Sequence, residues 1–306
     1  MTSIISSHSN DAVSQAVRVL NAGGLVGLPT ETVYGLAARA DLDDAVSKIF
    51  LAKGRPAGHP LILHISDISD VNRYAVNVPT VAFTLAEQCW PGPLTLLLHK
   101  SEQVSSRITG SRETVAIRVP ANECARAIIT DCNFALAAPS ANIFGHVSPT
   151  TAQHVVDDLG DSVDLVVDDG DCSIGVESTI VDLTGGSPQL LRPGGFAAED
   201  LESIMGLKFV EVSGKSRASG MLASHYAPKC RIELVADHAE ARRVASTVKN
   251  SRILSHWDNT PLYAATLYAQ MRQADTDGVE LLVAVLPLKT GLGIAICDRL
   301  SKAAFA

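Results

Sequence analysis

Apolar residues in this 306-residue chain come in short runs, and most of these runs stop at a polar segment carrying glycine or proline. The runs at 25–28, 61–65, 94–99, 114–119, 136–138, 165–167 and 179–183 have strand length. None approaches the roughly 18 consecutive apolar residues that would span a bilayer. Between them lie segments with helical spacing. Val13, Ala16, Val17 and Leu20 follow a cap at Asn10 and end at Gly23-Gly24, and Ala45, Val46, Ile49 and Phe50 mark a helix over 43–52. Further helices are expected over 81–89, 123–129 and 149–159, the last with Ser148 as N-cap and Pro149 in its first turn. Strands outnumber helices and the connections vary in length, which predicts an α/β fold with a mixed sheet rather than a regular doubly wound one.

After 207 the pattern loosens into a connector over 208–230, rich in small residues but carrying His225-Tyr226-Ala227-Pro228. The remainder, 231–306, alternates strand and helix three times: 231–235 with 239–249, 252–256 with 262–274, and 280–286 with a helix near 294–304. Three such units imply a small parallel sheet, so the chain divides into 1–207, a connector, and a C-terminal domain.

The formal net charge of −8 argues against a tight, non-specific grip on RNA, yet it leaves room for a local basic pocket holding a small anion. The six cysteines form no C-x-x-C pair and read as reduced thiols. The N-terminus has no basic region followed by an apolar core, so cytoplasm is the expected location. Gly214-Lys215-Ser216 has the end of a P-loop without its leading glycine, where Phe209 stands. Gly291-Leu292-Gly293 lacks the third glycine of a dinucleotide fingerprint, where Ile296 stands. Asp168-Asp169-Gly170-Asp171 reads as a solvated turn, and His59 and His64 have no acidic or cysteine partners at metal-ligand spacing. No protein-held metal is expected.

What remains is a series of polar segments at the edges of apolar elements: Pro29-Thr30-Glu31-Thr32, Lys53-Gly54-Arg55-Pro56, Trp90-Pro91-Gly92-Pro93, Arg118-Val119-Pro120, Pro139-Ser140-Ala141-Asn142, Glu177-Ser178-Thr179 and Arg192-Pro193-Gly194. Lys53, Arg55, Arg118 and Arg192 suit phosphates and carboxylates. Thr32, Thr114, Ser140, Ser148 and Ser178 offer short hydroxyls, and Ser148 at a helix N-terminus would add free backbone N–H groups. Arg118, flanked by apolar residues in a strand, is costly to bury unpaired and demands an anion, either a ligand or an internal carboxylate. Each piece also has a plain structural reading; the tryptophan segment, for instance, is equally a packed turn.

The ordered motifs PTETVYGL, K-x-R-P-x-x-x-P-L, WPGPLT, R-V-P, PSAN, EST-I-V and R-P-G closely resemble the threonylcarbamoyl-AMP synthase family, whose catalytic region is a YrdC-like domain. The H-Y-x-P connector, Leu267-Tyr268 with Arg272, and Asp298-Arg299-Leu300 fit its two-domain form. The resemblance implies an open twisted mixed sheet with flanking helices and a small Rossmann-like C-terminal domain of three parallel strands. It implies synthesis of L-threonylcarbamoyladenylate from L-threonine, bicarbonate and ATP with Mg2+, for modification of a tRNA adenosine by downstream transfer machinery. By resemblance Thr32, His64, Arg118, Ala138 and Ser178 bind threonine. Arg55, His59, Thr114, Ser140, Ser148, Arg192, His225 and Tyr226 bind ATP, and Lys53, Arg55 and Arg118 serve catalysis. His59 stands where asparagine is frequent, and Ala37-Ala38-Arg39 replaces a glycine-containing stretch. The rival readings are an RNA-binding module without catalysis, carbamoyl transfer as in hydrogenase-maturation proteins, which carry paired-cysteine zinc fingers absent here, and a regulatory scaffold built on the tail.

Overall fold

The computed structural model describes residues 2–212, 217 and 226–305. The first eleven strands are β1 (Ser3–Ser6), β2 (Val26–Leu28), β3 (Gly35–Arg39), β4 (Ile62–His64), β5 (Ala75–Val76), β6 (Leu94–Lys100), β7 (Thr114–Arg118), β8 (Leu136–Ala137), β9 (Leu165–Asp168), β10 (Thr179–Asp182) and β11 (Gln189–Arg192). They form one sheet in the order β1-β9-β2-β3-β8-β4-β7-β6-β10-β11, with β5 on β6. Pairings such as β4 with β7 are parallel and others such as β6 with β7 antiparallel, giving the expected mixed sheet.

Alternation along the strands separates two faces. Leu36 and Ala38, Leu63, Leu96 and Leu98, and Val115 and Ile117 point into the main core with helices Asp43–Lys53 and Thr80–Cys89. On the opposite face, helices Ala12–Asn21 and Glu123–Cys132 cover Val26, Leu28, Ala37 and Leu136. Farther along that face the apolar residues shrink to a small floor of Ile62, Leu97, Ala116, Ile180 and Leu191. The pocket described below forms at this end of the sheet.

Strands β12 (Arg231–Val235), β13 (Ser251–Ile253) and β14 (Leu281–Val285) make a parallel sheet in the order β12-β14-β13. Helices His238–Ala245, Thr260–Thr276 and Leu292–Ala304 accompany it. The strand expected over 252–256 is shorter, because the Ser255 N–H turns to the Gln270 side chain and His256 takes a positive φ of 67°. Four strands went unforeseen in the sequence: β1, β3, β5 and β11. The helix expected from Pro149 starts later, at Ala152, with Thr151 accepting from the His154 N–H. Residues 148–150 are drawn into tertiary bonds instead: Pro149 O accepts from Tyr34 N and Thr150 O from Cys172 N. Ser148 is therefore not at a helix N-terminus. No described helix is long and apolar enough to cross a membrane.

Candidate active site

The same alternation that builds the apolar floor places polar residues beside it. His64 lies two residues beyond Ile62 and Arg118 two beyond Ala116, and the register pairs His64 with Arg118. Both are buried, and both line one pocket. Thr32, Lys53, Arg55, Ala138, Ser140, Ser178, Arg192 and Tyr226 line it as well. Ten of the expected site residues thus converge from segments spread over most of the chain.

Arg118 donates from Nη2 to Glu31 Oε1 at 2.6 Å, from Nη1 to Thr32 Oγ1 at 2.9 Å and from Nε to the Gly92 carbonyl at 3.1 Å. Its internal anion is therefore Glu31. Gly92 belongs to the turn after Trp90, whose ring is in the core and whose Nε1 donates to Leu94 O at 2.7 Å. The packed-turn reading and the site reading of that motif both hold. A Cβ at Gly92 would stand 2.2 Å from Cys89 O, so the turn needs glycine to bring its carbonyl to Arg118.

Lys53 ends the helix Asp43–Lys53 and is fully inside the protein. Its Nζ donates to the carbonyls of Ser140, at 2.6 Å, and Asn142, fixing the loop that carries Ser140. Burial and the neighbouring Arg55 charge push its pKa well below the usual lysine range. Arg55 donates to Pro60 O at 2.9 Å and lies 5.5 Å over the Phe144 ring. Burial brings its pKa down to about 10. Burial and the Arg118 charge lower His64 to about 3, so its imidazole is neutral at physiological pH. Among the described residues its Nδ1 is buried without a hydrogen-bond partner, as expected of a group awaiting a ligand.

Ser178 sits just before β10, its hydroxyl 2.7 Å from Thr95 Oγ1, and Arg192 donates to both its carbonyl and its hydroxyl. Gly194 lets the following turn pass close by, since a Cβ there would stand 2.3 Å from Glu177 O. Glu177, not assigned a role from sequence, is the hub of the wall. It accepts from Ser148 Oγ at 2.7 Å, Tyr268 OH at 2.9 Å and Arg299 Nε at 2.7 Å. Burial by itself would raise its pKa, but Arg299, Arg192 and these hydrogen bonds hold it near 2. Arg299 also donates to Pro193 O, and Arg272 grips Asp158 through two bonds of 2.9 and 2.8 Å. Tyr226 stacks on Tyr268 with centroids 5.7 Å apart. The C-terminal residues are thereby tied to the pocket wall.

Three expected nucleotide ligands fall outside the lining. His59 packs edge-on against Phe144, itself a lining residue, at 5.2 Å. Thr114 occupies the far end of β7 from Arg118. Ser148 is spent on Glu177. His225 lies outside the described residues. Sequence reasoning missed Glu31 and Glu177 as site residues, although the need of Arg118 for an anion was a signal for the first.

Residues 18–194 match the Sua5/YciO/YrdC family model, described as telomere recombination, and residues 196–305 match the threonylcarbamoyl-AMP synthase C-terminal domain. The chain is 40% identical to a threonylcarbamoyl-AMP synthase of Pyrococcus abyssi, over 94% of this chain and 92% of that one. It is 38% identical to one of Bacillus subtilis, over 97% and 94%. The crystal structure of P. abyssi Sua5 complexed with L-threonine superposes with a TM-score of 0.93 at 36% identity, covering 100% of this chain and 98% of that one. In sequence and in fold, the chain belongs to the Sua5/YciO/YrdC family, in the form that carries the threonylcarbamoyl-AMP synthase C-terminal domain.

Proposed function

We propose that this protein is a threonylcarbamoyl-AMP synthase, a nucleotidyltransferase that converts L-threonine, bicarbonate and ATP to L-threonylcarbamoyladenylate and pyrophosphate. The observation that carries the proposal is the meeting of Lys53, Arg55, Arg118 and Arg192 with Thr32, Ser140 and Ser178 in one pocket, in a chain whose full-length relatives bear that name. Threonine as substrate is supported by the ligand of the P. abyssi structure.

In the reaction, the threonine amine adds to CO2, loses a proton and gives N-carboxythreonine. A carbamate oxygen then attacks the α-phosphorus of ATP and the bond to the β-phosphate oxygen breaks, releasing pyrophosphate. No protein nucleophile is needed; the chain supplies position and charge. Arg118, with Thr32 and the neutral His64 beside it, takes the amino-acid carboxylate. Arg55 and Arg192 line the pocket and suit the polyphosphate, and Lys53 holds the loop that carries Ser140 beside them. Mg2+ enters as part of the MgATP substrate, because the pocket carboxylate Glu177 is already taken by Ser148, Tyr268 and Arg299. Tyr226 closes one side and helps keep water from the mixed anhydride. His59 and Ser148 act through the lining residues Phe144 and Glu177, against which they are held. The adenylate is passed to separate tRNA-modifying machinery, and the net charge of −8 fits a supplier rather than an RNA holder.

The test is the product. With labelled bicarbonate, label must enter a nucleotide only when threonine and ATP are both present. Label in a nucleotide without threonine contradicts the proposal.

A further inference from the structure

Among the described residues that line the pocket, Glu177 is the one carboxylate. A bare negative charge in the wall of a polyphosphate site would repel the ligand. Glu177 is nevertheless held ionised, because Arg299 and Arg192 outweigh the burial that would push its pKa up. Arg299 does not line the pocket itself; it reaches the wall from the helix Leu292–Ala304. Its Nε donates to Glu177 Oε2 at 2.7 Å and its Nη2 to the Pro193 carbonyl at 3.0 Å. Glu177 precedes Ser178 and Pro193 follows Arg192, so one guanidinium spans the two segments that carry those pocket residues. The pair is buried, and water and salt screen it little. The third contact of Arg299, from Nη1 to Asp298, does not use up its charge, because Asp298 is matched in turn by Lys302 at 2.8 Å.

We propose that Arg299, in the C-terminal domain, is a positioning residue of the synthase site: by cancelling the charge of Glu177 it keeps the adjoining wall receptive to polyphosphate. This rests on the function proposed above. The wall uses Glu177 as an acceptor, since its carboxylate gathers Ser148 and Tyr268 as well as Arg299. An acceptor that strong carries a charge, and the charge has to be matched from outside the pocket. With the arginine gone, the field of the carboxylate would fall on the pocket. It would also compete with a phosphate for Arg192, whose charge already acts on it. Threonine arrives with no net charge and feels that field far less than ATP does. Arg299 thus acts on ATP binding through Glu177, from a domain that adds no cation of its own to the lining among the described residues.

The experiment measures pyrophosphate release against ATP and threonine in full-length Arg299→Met and Arg299→Met/Glu177→Gln proteins at neutral pH. In Arg299→Met the ATP KM should rise about ten- to a hundredfold, with the threonine KM within about threefold. Adding Glu177→Gln removes the stranded charge and keeps an acceptor for Ser148 and Tyr268. The double variant should therefore return the ATP KM to within about threefold of wild type. A residue that only held the shape of the wall would not be rescued by a second substitution in that wall. Where Arg299→Met does not fold, the double variant, which buries no unpaired charge at Glu177, carries the test by itself. An unchanged ATP KM in Arg299→Met, or an equal rise in both KM values, overturns the assignment. So does a double variant whose ATP KM stays about tenfold or more above wild type. Failure of the underlying function appears instead in the wild type, as absence of threonine-dependent pyrophosphate release.

Discussion

Replacing Arg299 with methionine tests how firmly the C-terminal residues are tied to the pocket wall. The substitution removes the 2.7 Å bond to Glu177 and the contact with Pro193 O, leaving Glu177 with Ser148 and Tyr268. Stranding one member of a buried ion pair costs about 3–5 kcal/mol. The Glu177 pKa of about 2 against an ordinary 4.5, set by Arg299 together with Arg192 and Ser148, is of the same order, roughly 3 kcal/mol at neutral pH. At about 2 °C per kcal/mol for a chain of this size, the melting temperature should fall by about 6–10 °C at pH 7. The sign with pH also follows. Because the folded pKa of Glu177 is depressed, its contribution is full above about pH 4.5 and is lost as pH falls toward 2. In the variant, burial pushes the carboxyl up, so protonation relieves it and the gap to wild type narrows by about 1 kcal/mol by pH 4. Thermal melts followed by circular dichroism at pH 7 and pH 4 measure both effects. A fall of less than about 2 °C at pH 7, or a gap unchanged at pH 4, refutes the reasoning.

Arg118→Ala should abolish threonine-dependent turnover and also destabilise the fold by about 3–5 kcal/mol, because Glu31 is left buried and unpaired. Urea unfolding alongside the activity assay checks this, and turnover at the wild-type level contradicts it. His64 should remain neutral on NMR titration down to about pH 4, since burial and Arg118 hold its pKa near 3. Its depressed pKa means stability is lost as pH drops from 6.5 toward 3, and a titration step near 6.5 contradicts the placement.

The mixed sheet and the three-stranded C-terminal sheet were legible because their central strands are continuous apolar runs with clear stops. β1 was not: Ser3–Ser6 has two serines and pairs with β9 across more than a hundred residues, a contact no local pattern reports. β3 was hidden in the same way, its alanines serving two cores at once rather than alternating apolar with polar. The cations of the pocket could be found singly by their charge beside apolar strands. Their carboxylate partners could not, because Glu31 and Glu177 are set by tertiary pairing. Ser148 shows the opposite error, a residue with good helix-cap chemistry whose hydroxyl is claimed by Glu177.

Pyrophosphate release by the purified protein from ATP and Mg2+ tests the proposed activity most directly. Release should appear when threonine and bicarbonate are both supplied and should vanish when either is omitted. Release that persists without threonine or without bicarbonate would contradict it.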